Sequence, residues 1–574
     1  MKTCRSLSAA RPLCLSSAHI EVVLLGAFAL LLLGLGIGLR DPWPSDEPRF
    51  ALVAQAMVEH GHWLFPHRGS ELYADKPPLF MWLQAGAYLL TRQWRVAFMV
   101  PSLLAGLGAL ALVYDLGRRL WNHRSALLAT AALLVTIHFT YQMRNAQIDP
   151  LLLGWMTLAN YGILRHLLLG PAWRWFTLGC LAAGLGVITK GVGVLALLML
   201  VPYALARQLG CAHLAHFAGA WRWALGLGAF FLPVLAWLVP MLLDAHADGD
   251  PQHAAYVRDI LFGQTVHRYA APSGHLHSPL YFLGIIAVDW LPLSLLLVWA
   301  VPAWWRRLRR GDGRQLLLLG WVVLVVAFFS FSPGKRDVYI LPALPMVALA
   351  LAPLLPGMLR MASVRTAIFA LTVLLAGVLT LAGGLALAAH PPWVVRIGQI
   401  LDPGIWWLLL GIGGLGLVIV AGTRIRHAAL GWVLFAGALW ALYGLWGYPL
   451  LNGERSALDV MARARAIAGQ GAPIGLVAWK EQNLLMLRGP ATEFGFLEPW
   501  PEQYAQAVRW LQADPARRWV FSRAEAMGSC VDRRQARFVG HANRRDWWMF
   551  QLPATKPGCT PRPHVDVAAN ADDD

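Results

Sequence analysis

Apolar runs of about 20 residues, the length that crosses a bilayer as a helix, alternate with short polar connections along most of the chain. About thirteen such runs are legible, at 19–39, 95–117, 125–143, 149–168, 174–189, 191–207, 222–243, 279–303, 315–332, 338–356, 365–388, 404–422 and 427–448. Every second connection is basic. These carry Lys2, Arg5 and Arg11; Arg118, Arg119 and Arg124; Arg165 and Arg174; Arg207 and Arg222; Arg306, Arg307, Arg309, Arg310 and Arg314; Arg360 and Arg365; and Arg424 and Arg426. Basic connections prefer the cytoplasmic face, so this set is expected inside. The remainder, 41–80, 244–278, Pro333–Arg336, 389–403 and everything from Pro449 onward, is then outside.

The pattern changes at the tail. From Asn452 the sequence becomes mixed, with an amphipathic run over Ala457–Gly469, a helical run near Glu502–Ala513, and strand candidates at Ile474–Trp479, Trp519–Ser522 and Trp547–Leu552. That alternation predicts a small α/β domain of roughly a hundred residues. The expected division is a membrane domain over 1–449 and an external domain over 450–574, ending in a disordered stretch rich in Pro, Ala and Asp. Cys530 and Cys559 are the two cysteines of this external part, where an oxidising compartment favours a disulfide.

Composition strengthens the class assignment. The chain has 574 residues, 57% of them hydrophobic and 14% charged, with mean hydropathy +0.52, which is a polytopic α-helical membrane protein. The net charge of +17 sits in clusters between apolar runs, as topology determinants do, and gives no reason to expect nucleic acid. The first run is long enough to span, and no small-residue cleavage site follows it, so a cleaved signal is not expected.

Candidate chemistry gathers outside. The stretch from Asp41 to Phe80 is the first place where acids, bases, aromatics and prolines crowd together. Asp46 and Glu47 can orient an acceptor hydroxyl, take its proton or coordinate a cation; equally, Ser45 or Asp46 can cap a helix that begins at Pro48. Lys76, between Asp75 and two prolines, can hold a phosphate beside a helix N-terminus, or anchor the loop at the lipid headgroups. Arg144, Asp149, Lys190, His267, Arg268, Lys335 and Arg336 share the external side. Asp289, within the eighth run, is read as interfacial, and Asp115 as a helix-surface partner of Arg118 and Arg119.

Taken in order, Asp46-Glu47 after the first span, Tyr73-Ala-Asp-Lys76-Pro-Pro-Leu79, Asp149-Pro150, Thr189-Lys190-Gly191 and Phe329-Ser-Phe-Ser-Pro-Gly-Lys335 through Tyr339-Ile-Leu-Pro342 resemble the bacterial branch of the protein mannosyltransferase-like glycosyltransferases. The lipid A aminoarabinose transferases are the nearest comparison. The resemblance implies the GT-C fold with thirteen helices and a C-terminal periplasmic domain, in the bacterial inner membrane. It implies a polyprenyl-phosphate sugar donor and an envelope acceptor such as lipid A phosphate, another glycan or a protein hydroxyl. By the same resemblance Asp46 is the catalytic carboxylate with Glu47 its neighbour, and Lys76 binds the donor phosphate with Arg268 as its cationic partner. Asp149, Lys190, Lys335 and Tyr339 are supporting residues. Asp75, where the family often has Glu, is with His267 a candidate pair of ligands for a divalent metal ion. A transporter is the rival class; it would bring inverted repeats and acids at mid-membrane depth, and no repeat is evident.

Overall fold

The computed structural model describes residues 17–561 except 218, 268–276, 390, 393, 395–397 and 399–400. Each of the thirteen apolar runs folds into helix. Among the described residues eight helices are long and apolar enough to cross a membrane, or ten if two bent pairs each count as one span. The remaining three runs form the helix Ile148–Leu169, the 15-residue helix Trp173–Val187 and the apolar helix Asp337–Leu351. The protein is thus a multi-pass helical membrane protein.

The elements used below are α1 (Ser17–Gly34), α2 (Asp46–His60), α3 (Leu79–Thr91), α4 (Val100–Leu120), α5 (His123–Leu134), α6 (Ile137–Met143), α7 (Ile148–Leu169) and α8 (Trp173–Val187). After them come α9 (Trp223–Asp248), α10 (Tyr281–Val288), α11 (Leu293–Arg309) and α12 (Gly313–Phe331). Helices in lipid gain little from burying apolar surface against one another, so small residues that let backbones close in are favoured at their contacts. The contact of α7 with α8 is of this kind: a Cβ on Gly162 would lie 2.2 Å from the carbonyl oxygen of Trp175.

Two predicted spans are broken. α5 and α6 meet at 67°, and α10 and α11 at 107°. Pro292 cannot donate a backbone hydrogen bond and so interrupts the second pair. A break inside a bundle must still pair its freed amides and carbonyls. Here the two breaks pair with each other, the Ile137 amide donating to the Leu291 carbonyl and the His138 amide to the Asp289 carbonyl, both at 2.9 Å.

The loop after α1 is built rather than loose. It contains α2, a two-residue hairpin of β1 (His67–Arg68) and β2 (Glu71–Leu72), and then α3. The C-terminal region has a five-stranded sheet of β3 (Ile474–Val477), β4 (Ala491–Glu493), β5 (Trp519–Arg523), β6 (Arg537–Ala542) and β7 (Arg545–Phe550), in the order β4-β3-β5-β7-β6. β3 runs parallel to β4 and β5, and β7 is antiparallel to β5 and β6. Cys530 and Cys559 form a disulfide with Cα atoms 5.4 Å apart. The hairpin docks on this domain: the Ser70 amide donates to Glu493 Oε1 at 2.8 Å, and the Arg68 guanidinium lies 3.9 Å from the Phe496 ring centre.

Candidate active site

The adjacent acids Asp46 and Glu47 open α2 and turn to different tasks. Glu47 is buried, and its carboxylate is taken up by an ion pair with Arg40 and by amide donations from Trp43 at 2.8 Å and Ala146 at 2.7 Å. The Arg40 guanidinium also donates to the Arg144 carbonyl, at 3.1 Å. Glu47 therefore ties the loop to the start of α7, with each of its oxygens already accepting.

Asp46 makes no cap. The helix starts at Asp46 rather than at Pro48, and the residue before it, Ser45, makes no side-chain cap bond. Its carboxylate instead meets Arg336 Nη2 at 3.2 Å and Arg49 Nη1 at 3.6 Å. Burial alone would push the Asp46 carboxyl up, but Arg336, then Arg49, Lys76 and Lys190 outweigh it and hold it below the ordinary carboxylate value. Arg336 is shifted in the complementary sense: burial works against its charge, and Asp46 and Asp149 more than restore it.

The supporting residues divide. Lys190 Nζ pairs with Asp149 Oδ1 at 2.7 Å and lies 4.6 Å from the ring centre of Tyr339, which brings all three to the Asp46 cluster. Lys335 is elsewhere; its buried ammonium donates to the carbonyls of Ser332 at 2.6 Å and His277 at 2.9 Å. Lys76 Nζ donates to the Asp75 carbonyl at 2.9 Å. The first amide of α3, at Leu79, turns to the Ile188 carbonyl at 3.4 Å, which leaves the ammonium as the stronger part of any anion site there. Just beyond Lys76, α3, α4 and α7 enclose an apolar groove of about 750 Å³ lined by Trp82, Leu90, Leu104, Leu112, Trp155 and Leu158 among others.

Asp75 lies 3.8 Å from Arg68 and its side chain is 45% exposed. Arg268 and the side chain of His267 lie outside the described residues. Among the described residues no three His, Cys, Asp or Glu side chains could hold a metal ion, and no step below uses one.

Sequence reasoning missed Arg49 and Glu481. Arg49 stands three residues after Asp46 on the same helix face, a spacing that would have shown once the helix was started at Asp46. Glu481 gives no such signal. It is a buried carboxylate of the C-terminal domain, 2.9 Å from Arg49 Nε and 3.6 Å from Arg68 Nη1. A chain of alternating charge therefore runs from Asp46 through Arg49 and Glu481 to Arg68.

Comparison with known proteins identifies the family. Residues 75–237 match the family described as dolichyl-phosphate-mannose-protein mannosyltransferase. An undecaprenyl phosphate-alpha-4-amino-4-deoxy-L-arabinose arabinosyl transferase of Pectobacterium carotovorum is 30% identical over 439 residues, which is 75% of this chain and 72% of that protein. The chain belongs to that family. It is a membrane glycosyltransferase. A relative of the same name from Pseudomonas aeruginosa is 32% identical over 58% of this chain and 60% of its own length. The crystal structure of ArnT from Cupriavidus metallidurans bound to undecaprenyl phosphate shares the fold, with a TM-score of 0.70 and 20% identity over 94% of this chain and all of that one (100%). The GT-C fold expected from the sequence is thereby established.

Proposed function

We propose that the protein moves 4-amino-4-deoxy-L-arabinose from undecaprenyl phosphate to a phosphate of lipid A, at the periplasmic face of the inner membrane. The observation that carries this reading is the cluster at Asp46: one buried carboxylate facing Arg336 and Arg49, with Lys76 and Lys190 in electrostatic reach. In the transfer, an acceptor oxygen attacks the anomeric carbon. The bond from that carbon to the donor phosphate breaks, and polyprenyl phosphate leaves with the electron pair. Lys76 holds the charge that builds on the departing phosphate, and the cluster aligns the acceptor for in-line attack. The groove past Lys76 seats part of the polyprenyl chain.

The state of Asp46 bears on the acceptor. A carboxylate held below its ordinary value is a weak base, better suited to orienting an acceptor than to deprotonating a hydroxyl. An acceptor phosphate is already anionic, and Arg336, Lys76 and Lys190 around Asp46 are cations that can face it. Glu47 serves as a positioning residue through Arg40. The basic connections support this sidedness: Arg307 and Arg314 stack on Trp121, at 5.6 and 4.1 Å from its ring centre, just past the C-terminal end of α4.

Mass spectrometry of lipid A from cells with and without the protein tests the acceptor, and transfer of labelled sugar from polyprenyl phosphate by the purified protein tests the reaction. The expected result is a lipid A species carrying an added aminopentose, made only when the protein is present. Label appearing on a protein or another glycan, with lipid A unchanged, would replace the acceptor. No transfer from any polyprenyl-phosphate sugar would overturn the reaction.

A further inference from the structure

Beside the Asp46 cluster, where the two broken spans meet, the structure brings together buried polar atoms that have no hydrogen-bond partner. His138 and Gln142 lie one turn apart on α6, each only 3% exposed. Neither ring nitrogen of His138 nor Oε1 of Gln142 has a hydrogen-bond partner. Both side chains approach one carboxylate: Asp337 Oδ2 is 3.8 Å from His138 Nε2 and 3.5 Å from Gln142 Nε2. Asp289, in the break between α10 and α11, is in electrostatic reach of Asp337.

This group is continuous with the transfer centre. Asp337 directly follows Arg336, whose guanidinium is paired with Asp46. Asp149 is in electrostatic reach of both His138 and Arg336. The side chain of Asp337 is 42% exposed, so a ligand can reach it.

Buried polar atoms without partners cost free energy, and native structures rarely keep them without a use. Here the orphans are accompanied by two carboxylates of like charge, which sharpens the need for a positive donor. Arg336 is committed to Asp46. An ammonium group carries three donors and one positive charge, and so supplies what this wall lacks. Among the described residues these side chains do not come close enough together to enclose a metal ion.

We propose that Asp337, Asp289, His138 and Gln142 form a subsite for the ammonium group of the donor sugar, so that the enzyme selects an amino sugar over a neutral one. This rests on the donor reading above. With the sugar's charged nitrogen held by Asp337 and its anomeric carbon turned toward Asp46 and Lys76, one end of the ring is fixed while the other reacts.

Binding of three probes to the full-length protein in nanodiscs tests this: polyprenyl phosphate without sugar, the same lipid carrying 4-amino-4-deoxy-L-arabinose, and that donor N-acetylated to remove its charge. The wild type should bind the amino donor at least about tenfold more tightly than the acetylated one, the scale of a charge-assisted hydrogen bond. Asp337→Asn and Asp289→Asn should shrink that ratio toward one while leaving sugar-free lipid binding unchanged, which also reports an intact fold. Gln142→Met removes an orphan acceptor without altering charge. It should shrink the ratio less, and it decides the matter if an Asp variant does not fold. A wild-type ratio near one, or a ratio that survives in every folded variant, overturns the subsite while the donor reading stands. Failure of the wild type to bind sugar-free polyprenyl phosphate overturns both.

Discussion

At each end of the span Trp94–Leu120 an aspartate gathers basic residues, and the two do so in opposite ways. Asp115 takes Arg118 at 2.8 Å and Arg119 at 2.6 Å, which lie three and four positions along its own helix; both arginines are exposed, and Asp115, 24% exposed, also accepts from the Tyr161 hydroxyl of α7 at 2.6 Å. Asp46 has one cation on its own helix, Arg49, and takes the others from stretches far apart in the chain, Lys76, Lys190 and Arg336; its side chain is 11% exposed. The arginine pairs of the first arrangement form as soon as the helix does, and pairs of this kind contribute about 0–1 kcal/mol. The second exists only when the first loop, the end of α8 and the end of α12 have come together. Desolvating that many charges is a poor way to stabilise a fold. Their convergence on one carboxylate is better explained by chemistry done there.

The largest effect that separates the two ends is expected at Lys76. Lys76→Met keeps the apolar stem and removes the ammonium. Transfer should nearly vanish and polyprenyl-phosphate binding weaken, while thermal stability in detergent changes little. Equal loss of stability and activity would make Lys76 a headgroup anchor, and undiminished donor binding would remove it from the site.

Arg336→Gln should give the next largest change, and it has a sign. Burial raises the Asp46 carboxyl and the cations lower it below its ordinary value of 3.8, so removing the largest cationic contribution lets it rise. Stability from ionised Asp46 is present above the ordinary value and is lost as pH falls through the lower, folded one. In the variant that loss, and the acid limb of the transfer rate, should both begin at a higher pH. Rate and melting profiles between about pH 3 and 7 would read this, and a limb that stays in place would free Asp46 from Arg336's control.

A smaller effect is expected at Glu481, which reaches Asp46 only through Arg49. Glu481→Gln should lower kcat by about tenfold, as misplacing a reacting group does, with KM for the donor little changed. A matching fall in melting temperature with kcat intact would limit Glu481 to docking the C-terminal domain. The smallest effect belongs to Asp115→Asn, which should leave transfer within a factor of about two, since a surface pair contributes little.

Much of this was legible in the sequence, for identifiable reasons. Apolar runs of membrane length have few alternatives to helix, so all thirteen runs are helical, while among the described residues eight to ten helices are long and apolar enough to span. The bends did not, because an apolar run such as 125–143 carries the same signal whether straight or broken, and only Pro292 marked its break. Asp46, Asp149 and Lys190 were expected on one side, with Tyr339 a supporting residue by resemblance, and the structure brings the four together. Which of Asp46 and Glu47 faced the cations depended on where α2 began, one residue pair earlier than the proline suggested. Glu481, 432 positions from Arg49, could not be paired with it by any local pattern. β4 and β6 escaped because one has three residues and the other carries an irregularity at Gly540.

The central claim, that Asp46 belongs to the transfer machinery, is tested most directly by measuring sugar transfer and donor binding side by side for Asp46→Asn and the wild-type protein. Losing a positioned acid or base typically lowers turnover by about 100-fold or more, so a fall of that size with donor binding retained is predicted. Unchanged turnover in Asp46→Asn would contradict the account and leave Asp46 a structural residue at the start of its helix.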